Sequence, residues 1–369
     1  MATGRAAVMK EYAKPFVIEE LEVPAPEPGG VMLRMTEAGI CGSDLHMWRG
    51  DPYSSSMVFG PEGRVGGHEG TGVIAMLGEG VTTDFAGIRV KEGDRVVHTA
   101  IAFCGRCRRC LRGEQNWCTG TPSRLDRRYR MFTGTYAEYL YLPPGRPFFR
   151  VPDELPSDAL GFVNCAMGTV TEALLRADCR EGDQVVIQGA GGLGLNAVAM
   201  AKDMGAHQVI VLDRLDNRLE MARAFGADHT VNIDQFGTPE ARRERVRELT
   251  GGQGADIVLE LVGRPELLLE GLSYLTTGGT FVEVGATTRG AIELEPTFIM
   301  RGKARIIGSW MYRPSLLPLI LNMMVKNRGK VPYDRITSHR FPLEQVNEAF
   351  ATAEWSGRQT EVIRAVLVP

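Results

Sequence analysis

The rhythm of hydrophobic and polar positions changes twice along this chain. Up to about residue 150 the apolar residues fall in short runs, such as VMLRMTEAG (31–39), GTGVIAMLGEG (70–80) and GDRVVHTAI (93–101). Turn-forming stretches such as PAPEPGG (24–30) break them up. That texture predicts a β-rich, loop-rich region. From about Gly182 apolar runs of strand length alternate with segments of helical period. DQVVIQGA, QVIVLD, HTVNI, ADIVLELVG and GTFVEVGA read as strands. GLNAVAMAKDMG, NRLEMARAFGA, TPEARRERVRELTGG and PELLLEGLSYL read as the helices between them. Such alternation predicts βαβ units and a doubly wound parallel sheet, so the fold class is α/β with a second, β-rich part. In the last sixty residues the alternation stops; FPLEQVNEAFATAEW (341–355) reads as a turn and a helix, and EVIRAVLV (361–368) as a closing strand.

Composition narrows the function. The 369 residues suffice for two domains, and a net charge of −3 with acidic and basic residues intermixed offers no basic footprint for nucleic acid. The opening MATGRAAVMKEYAKPF lacks the apolar core of a secretory leader. The most apolar stretch, SLLPLILNMMV (315–325), is interrupted by Pro318 and Asn322 and is too short for a bilayer. Seven cysteines, an odd number, favour metal ligation over a disulfide framework and a reducing cytoplasm as the compartment.

The first chemical motif lies at a strand–helix junction. VVIQGAGGLGLNAVAMA contains Gly189-x-Gly191-x-x-Gly194, with Gly192 and Leu193 opening the helix. Glycines there allow a tight turn and close approach to a pyrophosphate, and the helix N-terminus offers free N–H donors. Asp213 ends the next strand nineteen residues after Gly194, where a carboxylate accepts from ribose hydroxyls. A 2′-phosphate beside that carboxylate costs on the order of a few kcal/mol, so the expected cofactor is NAD rather than NADP. Arg214 would soften this preference, and Arg218 would reach the same ribose.

Four of the cysteines, Cys104, Cys107, Cys110 and Cys118, are spaced C-x2-C-x2-C-x7-C. This spacing wraps one loop around a tetrahedral ion, and four thiolates make a closed, structural zinc site. Arg106, Arg108, Arg109 and Arg112 in the same segment would offset its excess negative charge. GICGSDLH places Cys41, Ser43, Asp44 and His46 together, GGHEGTG carries His68 and Glu69, and FVNCAMGTV puts Cys165 at a helix start. Three N/S ligands with an open position make a catalytic zinc site, but spacing alone does not bring Cys41, His68 and Cys165 together.

Taken in order, CGSDLH, Gly-His-Glu at 67–69, the four-cysteine lobe and the glycine turn with its downstream Asp resemble the zinc-containing medium-chain alcohol dehydrogenases over essentially the whole chain. The resemblance implies a GroES-like catalytic domain (1–165 and 310–369, with the zinc lobe at about 100–120) around a Rossmann domain (166–309). It implies two zinc ions per chain and hydride exchange between an alcohol and NAD, giving an aldehyde or ketone. Cys41, His68 and Cys165 would bind the catalytic zinc, with Glu69 beside it. Asp44 would orient His68, and Ser43 and His46 would relay the proton. Arg364 resembles a C-terminal arginine that binds pyrophosphate. A small-molecule alcohol or carbonyl substrate and a homo-oligomer, tetramer or dimer, are also implied.

Some features depart from the family pattern. Gly42 stands where some members carry a phosphate-binding Arg, and Cys165 stands where the polyol-oxidising branch commonly has a Glu. Cys179 and the loop DPYSSSMVFGPEGRVG (51–66) match no motif. SRLDRRYR places Arg124, Arg127, Arg128 and Arg130 just after the lobe, as either a solvated loop or a basic rim for an anionic alcohol. Polyol and amino-alcohol dehydrogenases are the alternative activities.

Overall fold

In the strand Gln184–Gln188, Val185, Val186, Ile187 and Gln188 are all buried, as expected for a strand covered on both faces. It pairs in parallel with Gln208–Asp213 on one side and Ala255–Glu260 on the other. The computed structural model describes residues 2–51, 61–100, 102–120, 126–285, 290–354 and 362–369. In it this sheet has six parallel strands, in the spatial order His229–Asn232, Gln208–Asp213, Gln184–Gln188, Ala255–Glu260, Leu275–Glu283 and Arg305–Gly308. This is the doubly wound 3-2-1-4-5-6 order, whose change of direction opens a crevice beside the first strand. The last strand was not anticipated: it has four residues and none is fully buried, so no apolar run announces it.

Contacts divide the chain into two units. One is Thr169–Met311 with Gly329–Pro332 and holds the parallel sheet; the other is Met1–Gly168, Tyr312–Arg328 and Tyr333–Pro369. The latter is built on a seven-stranded sheet. The C-terminal strand Ala365–Val368 pairs antiparallel with Val31–Gly39, with Val366 opposite Gly39 and Leu367 opposite Ala38. Thr71–Leu77 lies on the other side of Val31–Gly39. Under the strand Thr3–Met9, Phe350 from the helix Val346–Glu354 packs against Phe16 and Tyr136, with ring centroids 4.6 and 5.6 Å away. This core seats the N-terminal strands and the C-terminal helix on one another, and it fixes the end of Val31–Gly39, from which Cys41 follows.

A charged pair marks the parallel sheet. Register places Glu260 opposite Glu283 at adjoining strand ends, and Glu260 is only 1 % exposed. It accepts from the N–H groups of Val262 (2.8 Å) and Gly263 (3.0 Å). Burial first, and the Glu283 charge second, raise its carboxyl from an ordinary 4.5 to about 8. A raised pKa in the folded state favours the protonated form on folding. The stability it contributes is therefore complete below about pH 4.5 and is lost as pH rises through 8. Glu260→Gln keeps an acceptor for the two N–H groups. It is expected to flatten the pH dependence of the thermal midpoint between about pH 5 and 8; a slope identical to that of the wild type would contradict the argument.

Candidate active site and metal centres

Cys41 precedes the helix Gly42–Arg49, whose first turn carries Asp44. The Asp44 carboxylate accepts the Cys41 backbone N–H at 2.9 Å and the Tyr136 hydroxyl at 2.8 Å on one oxygen. Its other oxygen faces His68 Nδ1 at 3.1 Å. One 3 % exposed carboxylate thus fixes the helix start, a core tyrosine and the His68 ring. With Nδ1 turned to Asp44, His68 presents Nε2 to Cys165 Sγ at 3.3 Å. The turn bearing His68 requires glycine: Gly67 has φ +85°, and a Cβ there would lie 2.3 Å from Thr135 Oγ1. Cys165 sits in the one-turn π-helix Val163–Met167 that leads into the helix Gly168–Arg176.

The chain therefore brings together what sequence spacing could not. The donor atoms of Cys41, His68, Glu69 and Cys165 lie within 4.8 Å of one another. A zinc ion with bonds of about 2.05 Å to N and 2.3 Å to S, at a tetrahedral angle, separates those two atoms by about 3.6 Å, close to the His68–Cys165 spacing. The donor set fits the ion. Electrostatics agree: the Cys41 thiol is held well below its ordinary range, chiefly by its hydrogen bond with Cys165 and, against burial, by His68. For His68 the balance runs the other way: burial opposes its imidazolium, but Asp44 and Cys41 outweigh it and raise the group to about 10, so a metal ion binds there only by displacing a proton.

Glu69 is fully buried, and one of its oxygens pairs with Arg364, itself 7 % exposed. The other oxygen has no partner among the described residues. Ser43 and His46 lie one turn apart on the Cys41 helix, and His46 Nδ1 meets Asp51 Oδ2 at 2.6 Å. Asp51 and Tyr136 were not singled out from sequence. Asp51 falls five residues beyond His46, a weak signal; Tyr136 carries none.

In the glycine turn, Gly189 adopts φ +98°, and a Cβ on Gly194 would stand 1.9 Å from the Gly189 carbonyl, so helix and strand approach as closely as glycine allows. Gly191 caps the helix Gly192–Asp203, which Gly192 and Leu193 open. The Asp213 carboxylate accepts from the N–H of Ala190 (2.7 Å) and of Leu215 (3.0 Å), so it also shapes the glycine turn. Arg218 reaches beside Gly191, 3.9 Å from where its Cβ would stand. Arg214 pairs with Asp234 at 3.5 Å on the surface.

The lobe cysteines form no disulfide. Four of their Sγ–Sγ spacings are 3.6, 3.6, 3.9 and 3.9 Å. A tetrahedron of 2.3 Å zinc–sulfur bonds has edges of about 3.8 Å, so this donor set also fits zinc. Backbone N–H groups near Cys110 and Thr119 hold the Cys107 thiol down at about 5. Arg109 is engaged with Glu114 (2.9 Å) and the Trp117 ring (5.2 Å) rather than with the sulfurs. Among the arginines after the lobe, Arg127 pairs with Glu62 (2.9 Å) and Arg128 with Asp126 (3.0 Å), so two of the four charges of the suggested basic rim are locally matched. Arg124 and residues 52–60 of the unmatched loop lie outside the described residues.

A doubly wound sheet with a glycine turn at its first crossover, in the same chain as the Cys41, His68, Glu69 and Cys165 donor cluster and a four-thiol set, is the architecture of a zinc-type, nicotinamide-linked oxidoreductase. Comparison with known proteins agrees. Residues 27–153 match the family model described as "Alcohol dehydrogenase GroES-like domain", and residues 192–326 match "Zinc-binding dehydrogenase". The chain is 35 % identical over 358 residues to 5-exo-hydroxycamphor dehydrogenase of Pseudomonas putida, covering 95 % of each chain. It is 28 % identical to an L-threonine 3-dehydrogenase of Bacillus velezensis, over 99 % of each. The crystal structure of an alcohol dehydrogenase from Thermotoga maritima superposes with a TM-score of 0.89 at 29 % identity, covering 100 % of both chains. This chain belongs to the zinc-containing alcohol dehydrogenase family of medium-chain dehydrogenases. Among the described residues no helix is long and apolar enough to cross a membrane.

Proposed function

We propose that this chain is an NAD-dependent zinc alcohol dehydrogenase that interconverts a primary or secondary alcohol with its aldehyde or ketone. In this reading it holds one catalytic and one structural zinc ion and works as a cytoplasmic homo-oligomer. The observation that carries the reading is the clustering of the Cys41, His68 and Cys165 donor atoms next to the helix that bears Ser43 and His46. Zinc held by Cys41, His68 and Cys165 would supply Lewis acidity to the substrate oxygen, and a nicotinamide held by the glycine turn would supply a hydride acceptor. The protein does the rest. Asp44 fixes the tautomer and plane of His68. The Ser43 hydroxyl takes the proton of the bound alcohol and passes it to His46, whose ring Asp51 orients through Nδ1. Gly189, Gly191, Gly192, Leu193 and Gly194 cradle the pyrophosphate, with Arg364 as a further phosphate contact. Asp213 and Arg218 hold the adenosine ribose.

The activity is tested by following NADH formation with zinc-loaded protein and a panel of apolar primary and secondary alcohols, polyols, amino alcohols and anionic alcohols. Turnover of apolar alcohols supports the reading, whereas turnover confined to polyols or amino alcohols would replace it with the alternative. Cofactor choice has its own test. Charged hydrogen bonds of this kind contribute roughly 1.5–3 kcal/mol, so Asp213→Ser is expected to lower kcat/KM for NAD about 10- to 100-fold while NADP gains or holds. Asp213→Asn, which keeps an acceptor for the Ala190 N–H, separates loss of turn shape from loss of ribose binding. Equal loss with both cofactors in both variants would make Asp213 structural only.

A further inference from the structure

Glu69 lies between two hydrogen bonds made by a single buried side chain. Asn164 Nδ2 donates to the His68 carbonyl at 3.0 Å, and Asn164 Oδ1 accepts the Gly70 N–H at 2.9 Å. Asn164 is 0 % exposed, and its two partners leave only one orientation of its amide. One side chain therefore pairs with this turn as an adjacent strand would, fixing the peptide planes on both sides of Glu69. Asn164 also adjoins Cys165, whose sulfur faces the His68 ring from 97 residues away in sequence. Its own peptide is held in turn: the Tyr312 hydroxyl donates to the Asn164 carbonyl and accepts the Ala100 N–H at 3.4 Å. Tyr312 is 3 % exposed.

We propose that Asn164 is a positioning residue of the catalytic metal centre: its amide locks the His68–Glu69 turn onto the helical turn of Cys165, and Tyr312 braces that lock. The inference rests on the metal reading of Cys41, His68 and Cys165 given above. Its physical basis is that donors on separate segments keep their geometry only as well as the backbone segments are tied. Besides the imidazole–thiol contact itself, this amide is a direct tie between the two. Removing it leaves the half-buried His68 carbonyl and the buried Gly70 N–H without that partner and frees His68 to shift against Cys165.

The test uses the zinc-loaded full chain and measures zinc transfer to a chromogenic chelator, with the lobe ion identified from Cys41→Ser protein. Asn164→Ala is expected to release the catalytic ion about 10- to 100-fold faster, leaving the lobe ion unaffected. The visible bands of cobalt substituted at the catalytic site are expected to shift. Asn164→Asp, equal in size and still an acceptor for the Gly70 N–H, is expected to fall between Ala and wild type; it carries the test if the Ala variant does not fold. A wild-type release rate and an unchanged cobalt spectrum in a folded variant would overturn the proposal while leaving the dehydrogenase reading intact. A wild-type chain that retains a single zinc would overturn the metal reading and this proposal with it.

Discussion

Cys41→Ser is expected to lower kcat/KM for the alcohol by at least about 10³-fold and to reduce bound zinc from two ions per chain to one. Cys41 is 7 % exposed, and its thiol is held well below its ordinary range by Cys165 and His68, so a thiolate ligand is its favoured form. A serine hydroxyl of nearly the same size does not ionise in this range and leaves an imidazole and a single thiolate. Lewis-acid stabilisation is worth several kcal/mol, and about 4 kcal/mol corresponds to 10³ in rate. The fold should persist, because Asp44 caps the helix through the Cys41 backbone N–H, which the substitution does not touch. Metal analysis, far-UV circular dichroism and steady-state kinetics on one preparation make the check. A variant that keeps two zinc ions and full turnover would remove Cys41 from the site.

Much of this architecture was legible in the sequence, for identifiable reasons. Strands buried on both faces and helices of regular period announced the parallel sheet, and the glycine turn marked its first crossover because backbone sterics there tolerate little else. The candidate ligand residues were legible only as a set whose order resembles a family; singly, a cysteine or histidine says little. What stayed hidden acts across long separations in sequence, much of it through backbone groups that every residue has. Asn164 works on the backbone of residues 68 and 70, and Tyr312 on a carbonyl 148 residues away. The pairing of Arg364 with Glu69 spans 295 residues. No periodicity encodes such contacts, although a polar Asn inside the apolar run FVNCAM was a visible clue. The strand Arg305–Gly308 and the short strand His339–Pro342 escaped because edge strands of four residues bury too little to leave a pattern.

Cys110→Ser is expected to open the zinc lobe and expose it to trypsin, with cleavage accelerated at least about 100-fold. From residue 102 to 120 only Cys110 and Asn116 are buried, so the segment has no apolar core of its own. In the proposed reading its order comes from a bound ion, and structural zinc sites in small peptides contribute roughly 10–16 kcal/mol. Cys110 is the one buried sulfur of the four, and burial, reinforced by the neighbouring thiols, pushes its thiol up to about 12. The Cys110 sulfur therefore keeps its proton unless a cation compensates the charge, and removing this buried sulfur also removes a corner of the tetrahedron. Arg106, Arg108, Arg109 and Arg112 are exposed and provide the cleavage sites. Bound zinc should again fall from two to one, but now the ion that remains is the one Cys41→Ser loses, so the two variants assign the ions independently. Retention of both ions together with wild-type resistance to trypsin would mean that the lobe is held by something other than its sulfurs.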